Sequence, residues 1–421
     1  MTKRTKRILI VAASVLVVAA TITGLVLRAN TAHRARTTIV GFYDIEGAQQ
    51  QAVQYVLERA FSALPEVQAA NAATVDNAPV LEFVTLSDEQ AADPKLTKKI
   101  DVLITQTGAL TSRLMSAAVP VNNEIMARFP RSTQSSPFFS QDGKMLVMPL
   151  FLDHFETAYY TILSDELTDE LPYYLSEFAE YAALIKESIV YPIIASGADD
   201  TVLFSMVSVL VESVAGADGY NQLIRDISDI AGKDQPFDDV LALPLKGDAP
   251  DGIIFGDILQ VFRNWRSEGL ILGNWQETTE ASVRVFMEDY HTGIIQMLLS
   301  QHRRMPYPMI KYYESTQYPA DTSVSRALIA PSVSCMLFTD TNAARSFVDA
   351  LSSADEQEFL SVKTQLAPTT LRGQSFDMQA DDVRYFAAIS AGGPVPDLGH
   401  AAFATSEKRA EFADWLRDQL R

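Results

Sequence analysis

From Ile8 to Leu27 the chain runs for twenty residues without a charge, ILIVAASVLVVAATITGLVL, directly behind the basic MTKRTKR. A helix of that length crosses a hydrocarbon core about 30 Å thick. A secretory signal has an apolar stretch of roughly 7–15 residues and then a small-x-small cleavage site. This stretch is longer, and Ile22-Thr23-Gly24-Leu25 offers no such site. It is therefore read as an uncleaved signal anchor, one N-terminal transmembrane helix. No cysteine lies near it, which excludes a lipid-bearing anchor. Lys3, Arg4, Lys6 and Arg7 should hold the N-terminus in the cytoplasm, although Arg28, Arg34 and Arg36 follow the span and weaken that bias. No later segment is apolar enough to bring the chain back. The bulk of the protein is expected outside the cytoplasm, in a periplasmic or extracytoplasmic space, tethered to the cytoplasmic membrane.

The remaining length is enough for two or three domains. Hydrophobic residues make up 48% and charged residues 21% of the chain, which argues against a disordered or polytopic membrane protein. Asp and Glu outnumber Lys and Arg by 53 to 34, a net charge of -19. A surface that acidic repels phosphate backbones, so no nucleic-acid partner is expected. The single cysteine, Cys335, excludes an intramolecular disulfide and sits in the apolar run ALIAPSVSCMLF, where it reads as buried filler.

Along the exported part, TIVGFY (38–43) is a short β-branched and aromatic strand. In the helix that follows, Ala52, Val53, Val56, Leu57, Ala60, Phe61 and Leu64 share one face. VLEFV after Pro79 and the run Ile100–Ile104 are further strands, an order that points to an α/β lobe with a largely parallel sheet. KMLVMPLF is a strand running into Pro149, where the chain is expected to cross into a second lobe. Helices follow: YYLSEFAEYAALIKE, then TVLFSMVSVLVESVAG and YNQLIRDISDIAG, stopping at Gly216 and Gly232, then FGDILQVFRNWRSEG and ETTEASVRVFMEDYHTG. Ile294–Ser300 reads as a strand and Leu328-Ile329-Ala330 as a late one. Helices with Asp340 and Ser406 as N-caps complete the pattern.

Catalytic signatures are absent. There is no phosphate-binding glycine loop, no G-x-S-x-G and no H-E-x-x-H. No two of the histidines, His33, His154, His291, His302 and His400, have a metal-ligand spacing. Acid pairs such as Asp199-Asp200 and Asp381-Asp382 read as surface charge. No enzyme, cofactor or metal is expected.

The ordered set of elements resembles the extracellular solute-binding proteins of ABC importers, the family that includes maltose-binding protein. Gly143-Lys144, Val147 and Pro149, followed by Ala158-Tyr159-Tyr160, are similar to the stretch by which that family crosses between lobes, with Thr161 in place of its asparagine. Phe286, Gly293, Gln296 and Met297 resemble a second family stretch. Asn342, Ala344, Phe347, Leu351, Ser353, Glu356 and Gln357 resemble a third. The resemblance covers nearly all of the chain after residue 37. It implies an α/β, two-lobed periplasmic-binding-protein fold with a hinge. The first lobe would hold residues 37–148 with 308–352 returning to it, and the second residues 149–307 with 353–421, after a tail and anchor at 1–36.

The family holds its ligand between the lobes, and open α/β sheets bind ligands beyond the carboxyl ends of their strands. The resemblance thus implies a ligand-binding set. Tyr43 and Asp44 end the first strand, and Thr105 and Gln106 end the Ile100–Ile104 strand. Asp153 and His154 follow the crossing, and Ser196 and Asp199 lie in the turn after YPIIASG. Gln301, His302 and Arg303 end the IIQMLLS strand, Ser323 precedes the late strand, and Phe403 stands where the family has a late aromatic. Several have a plainer reading: Tyr43 and Phe403 as core, Asp153 and Asp199 as solvated acids or Asp199 as an N-cap, His302 and Arg303 as a surface basic patch with Arg304.

The function implied is capture of a small polar solute, a carbohydrate by family precedent, by a monomer that delivers it to ABC permease subunits. Tryptophan is scarce at the implied site, which puts stacking against sugar rings in question. A sensor or accessory envelope protein built on the same fold is the alternative.

Overall fold

The computed structural model describes residues 37–73, 78–163, 171–233, 235–288, 292–321, 325–375 and 377–421. The expected membrane helix, Ile8–Leu27, and Ser323 lie outside the described residues.

Two sheets organise the chain. The first contains β1 (Thr37–Tyr43), β2 (Val80–Thr85), β3 (Val102–Gln106), β4 (Met148–Leu152), β10 (Ser332–Leu337) and β11 (Ala367–Pro368), in the order β11-β4-β10-β3-β1-β2. The second contains β5 (Phe155–Tyr160), β6 (Tyr191–Ala195), β7 (Thr292–Leu298) and β8 (Tyr313–Thr316), in the order β8-β5-β7-β6. A short parallel ribbon, β9 (Leu328–Ile329) with β12 (Pro394–Val395), completes the strands that matter here.

Alternation of side chains along a strand decides what each face meets. Val102, Ile104, Val333 and Cys335 face a core shared with α1 (Gly47–Ser62) and α9 (Asn342–Leu351), while Leu103 and Met336 face a second core with Leu110 and Leu114. Helix α1 buries the apolar stripe expected of it, from Ala52 to Phe61, and at its start the Glu46 N–H donates to Gln49 Oε1 at 3.4 Å. Cys335 is buried at the centre of the sheet, and burial pushes its thiol up to about 12, which leaves it inert.

The second sheet follows the same logic. Phe155, Tyr159, Ile193, Ile294 and Leu298 pack on a large core, and Ala158, Ile194, Ile295 and Met297 on a smaller one behind. The large core is built on α5 (Asp200–Gly232), with α4 (Leu175–Ile185) and α6 (Phe255–Ser267) packed around it. The expectation that no later segment is apolar enough to span is corrected here: α5 passes that test by length and composition, but it is largely buried inside the protein as a core helix. The sequence pattern divides it at Gly216, and the structure does so too: Gly216 leaves the helical conformation at φ 66°, so α5 is two helical stretches joined by a kink, where a Cβ would stand 2.6 Å from the Asp248 carboxylate.

Several boundaries differ from the sequence reading. Pro149 does not end the first half. It lies inside β4, at a bulge where Val333 pairs with Phe151 and Ser334 with Pro149, so β4 carries one extra residue. A bulge tolerates a residue without an N–H. The chain passes between sheets at Asp153-His154. The returns also come later than residues 308 and 353: β8 still pairs with β5, and α10 (Ala354–Thr364) packs on α1 and β4. The strand expected at Ile294–Ser300 is β7, which ends at Leu298 and runs directly into α8 (Leu299–Arg304). Thr341, not Asp340, caps α9, because Asp340 is taken by Arg345. Ser406 lies in the first turn of α13 (Ser406–Leu420), which follows α12 (Leu398–Ala402) and a cap at Thr405.

Candidate ligand-binding site

Strand directions bring one set of strand ends of each sheet to the link Asp153-His154. In the first sheet β1 and β3 are parallel, Tyr43 opposite Thr105. Antiparallel β10 places Val333 opposite Gln106 and Ser332 opposite Leu152. Tyr43, Gln106 and Leu152 therefore end at one edge, where β10 begins. In the second sheet Phe155 opposes Leu298 and Ala195 opposes Gln296, so Asp153, Ser196 and Ser300 share an edge. The link Asp153-His154 joins the two edges, and ligands bind beyond the carboxyl ends of such strands.

Asp153 is held from both sides. Its N–H donates to the Pro331 carbonyl at 2.7 Å, and its carboxylate accepts the Ser300 N–H at 2.9 Å and the Ser300 hydroxyl at 2.7 Å. Burial pushes this carboxyl up to about 7, against the two Ser300 hydrogen bonds. Next to it, the Ser196 hydroxyl donates to Gln301 Oε1 at 2.7 Å and Gln301 Nε2 donates to Asp199 at 3.0 Å. Asp199 also caps α5 through the Thr201 and Val202 N–H groups, and burial raises its carboxyl. Arg304, bound to Glu280, contributes to the field at Asp153 and Asp199, and Glu46, at the N-terminus of α1, adds a negative charge at Asp153.

On the first edge, Tyr43 donates its hydroxyl to Asp88 at 2.7 Å. Burial and that hydrogen bond push the phenol up to about 12, so it stays a donor. Asp44 adopts φ 55° and carries an ion pair with Arg409 and a 3.5 Å contact with His400 Nε2. Burial works against its charge, but the His400 hydrogen bond and the His400 and Arg409 charges win, and its carboxyl lies below the usual range. Gln106 is half-buried at the end of β3, and Thr105 is buried within it.

The other expected residues go elsewhere. His154 is buried against Phe386 with Nδ1 3.4 Å from the Ile329 carbonyl, and burial lowers its basicity so that it is neutral. His302 is buried too, with Nδ1 2.6 Å from Glu156. Arg303 pairs with Asp377 and donates to the Gln365 carbonyl. Phe403 packs among Phe237 and Phe412 in the second core. Trp265 and Trp275 are buried in that core, Trp275 packed against Gly197 beside Ser196, and Trp415 donates to Asp238, so none of the three offers an exposed ring face there.

Sequence reasoning missed Glu46, Ser300, Asp397, His400 and Arg409. One signal was available: Asp397 and His400 have the i, i+3 spacing of a helix cap, and Asp397 caps α12 through the His400 N–H at 3.0 Å.

No protein-family model matches the sequence, and no curated protein matches it. Solved structures do match. The bacterial solute receptor AcbH, described as having an exclusive preference for β-D-galactopyranose, aligns over 91% of this chain and 98% of its own at 12% identity, with a TM-score of 0.65. The putative binding protein MsmE of Bacillus subtilis subsp. subtilis str. 168, in an open conformation, aligns over 92% and 94% at 10% identity, with a TM-score of 0.64. Maltose-bound MalE3 of T. maritima aligns over 91% and 94% at 13% identity, with a TM-score of 0.58. The neighbours are sugar-binding solute receptors of the maltose-binding-protein-like group, and this chain has their two-lobed α/β fold.

Proposed function

We propose that the protein is a membrane-tethered, extracytoplasmic receptor that holds a small polyhydroxylated solute, a carbohydrate, between its two sheets and presents it to an ABC permease. The observation that supports this reading is that the strand ends of the two sheets, joined through Asp153-His154, bear Asp44, Gln106, Asp153, Asp199 and Gln301. Carboxylates accept hydrogen bonds from hydroxyls, and an amide both donates and accepts. The neighbours described with galactopyranose, maltose and raffinose support the ligand class. The uncharged run behind MTKRTKR supports tethering outside the cytoplasm. The ligand residues proposed are those at the two sets of strand ends. The lobes proposed are residues 37–152 with the return from Ser332 through β11, and residues 155–330 with α12 and α13.

A thermal-shift screen of residues 37–421 against galactose, maltose, raffinose and chitin oligosaccharides tests the reading. A ligand at a hundred times its dissociation constant adds about 2.7 kcal/mol of stability. Unchanged melting with every sugar would contradict it. The alternative, a sensor or accessory envelope protein, draws on one observation: Asp44 is already engaged by Arg409 and His400, and no tryptophan faces it.

A further inference from the structure

The short helix α8 carries two of the polar residues at the strand ends. Ser300 holds Asp153, and Gln301 joins Ser196 to Asp199. The next residue in the same turn, His302, has a different partner. It is 1% exposed, and its Nδ1 lies 2.6 Å from Glu156 of β5, which is fully buried. A carboxylate only accepts, so the imidazole proton stands on Nδ1 and is donated to Glu156. Glu156 is three residues past Asp153 and opposes Met297 on β7, the strand that leads into α8. Two contacts thus run side by side between the start of β5 and the first turn of α8, Asp153 with Ser300 and Glu156 with His302. Behind the pair, Gln379 of α11 (Met378–Ile389) stands 3.2 Å from the same Nδ1 and 3.5 Å from the Ser315 hydroxyl on β8. The remaining polar atoms of the pair, Glu156 Oε1 and His302 Nε2, are buried and have no partner among the described residues. The far end of α8 is tied separately, by Arg303 to Asp377 and by Arg304 to Glu280 of α7 (Glu280–Glu288).

We propose that Glu156 and His302 are a positioning pair, which orients the first turn of α8 so that Ser300 and Gln301 meet Asp153, Ser196 and Asp199. Such a buried pair adds little stability over apolar side chains of the same size, because desolvation of the carboxylate offsets the attraction. What it adds is direction. A charge-assisted hydrogen bond of 2.6 Å accepts only a narrow range of distance and angle. With His302 fixed on β5, the residue before it turns one end of its amide to Ser196 and the other to Asp199. The role of the positioned set in holding a solute rests on the receptor reading; the positioning itself is measured without any solute.

The test is hydrogen–deuterium exchange, read by mass spectrometry on the full-length chain in detergent micelles. His302→Phe keeps a planar ring and removes the donor. Exchange should rise about tenfold in peptides covering residues 299–304 and 153–156, the change in local opening expected when a charge-assisted bond is lost, and stay at the parent's level in α1. His302→Asn offers an amide N–H where Nδ1 stands and should restore slow exchange. If His302→Phe fails to fold by circular dichroism, Glu156→Leu with His302→Phe leaves neither group buried and unpaired, so it should fold and still exchange fast in α8. Parent-like exchange in the folded single or double variant overturns the positioning role. So does an asparagine variant that exchanges as fast as the phenylalanine one. Sugar titration of the parent is a separate measurement: failure to bind any sugar would count against the receptor reading and leave the exchange result standing.

Discussion

Ser300 donates both its N–H and its hydroxyl to Asp153, one to each carboxylate oxygen, across the point where the chain leaves the first sheet for the second. No cation pairs with that carboxylate among the described residues, so desolvation dominates it and raises it to about 7. A carboxyl raised on folding binds its proton more tightly in the native state. Stability is therefore unaffected below about pH 4, falls as pH rises towards 7, and stays at the lower level above that. Urea melts of residues 37–421 at pH 5 and pH 8 should show this loss, and Asp153→Asn should reduce it. An equal slope in parent and variant would mean that Asp153 ionises freely.

His400 behaves in the opposite chemical sense with the same outcome. Its folded value, about 9, lies above the ordinary 6.5, so the stability it adds is complete below about pH 6.5 and is lost as pH rises through 9. The groups facing it are Asp397, Asp44 and Arg409. An imidazole titration by NMR should place the midpoint well above 7, and Asp397→Asn should bring it down.

Asp199 does two jobs, so its removal should register in stability as well as binding. Asp199→Ala should cost about 1 kcal/mol through the lost cap of α5. Asp199→Asn should cost only a few tenths, since asparagine caps equally well. Chemical denaturation of the two variants checks this, and equal losses would mean that the Gln301 contact, not the cap, matters.

Gly216→Ala should destabilise by more than about 1 kcal/mol, because it combines φ 66° with a Cβ 2.6 Å from Asp248. Gly232→Ala, with open space around it, is the control and should be near neutral.

Local pattern was readable and pairing was not. The alternation in TIVGFY and the stripe of α1 gave their elements directly, since burial of one face requires those periods. The centrality of β10 was hidden: SVSCML is buried on both faces, so it shows no period to read. Pro149 misled because a proline reads as a strand end, whereas a bulge absorbed it. The strand-end rule named Asp44, Asp153 and Asp199, and each follows the end of a strand in the structure. Arg409 and His400 stayed invisible because their partner is more than 350 residues away in sequence and the contact exists only once both halves are assembled.

Calorimetric titration of residues 37–421 with galactose, maltose and raffinose, beside Asp153→Ala, tests the receptor reading most directly. The prediction is that at least one sugar binds the parent and that the variant binds it more weakly by about 1–3 kcal/mol, the loss expected when a buried partner is left unpaired. Heat from none of the sugars, or equal affinity in parent and variant, would contradict a carbohydrate site at the edge where Asp153 stands.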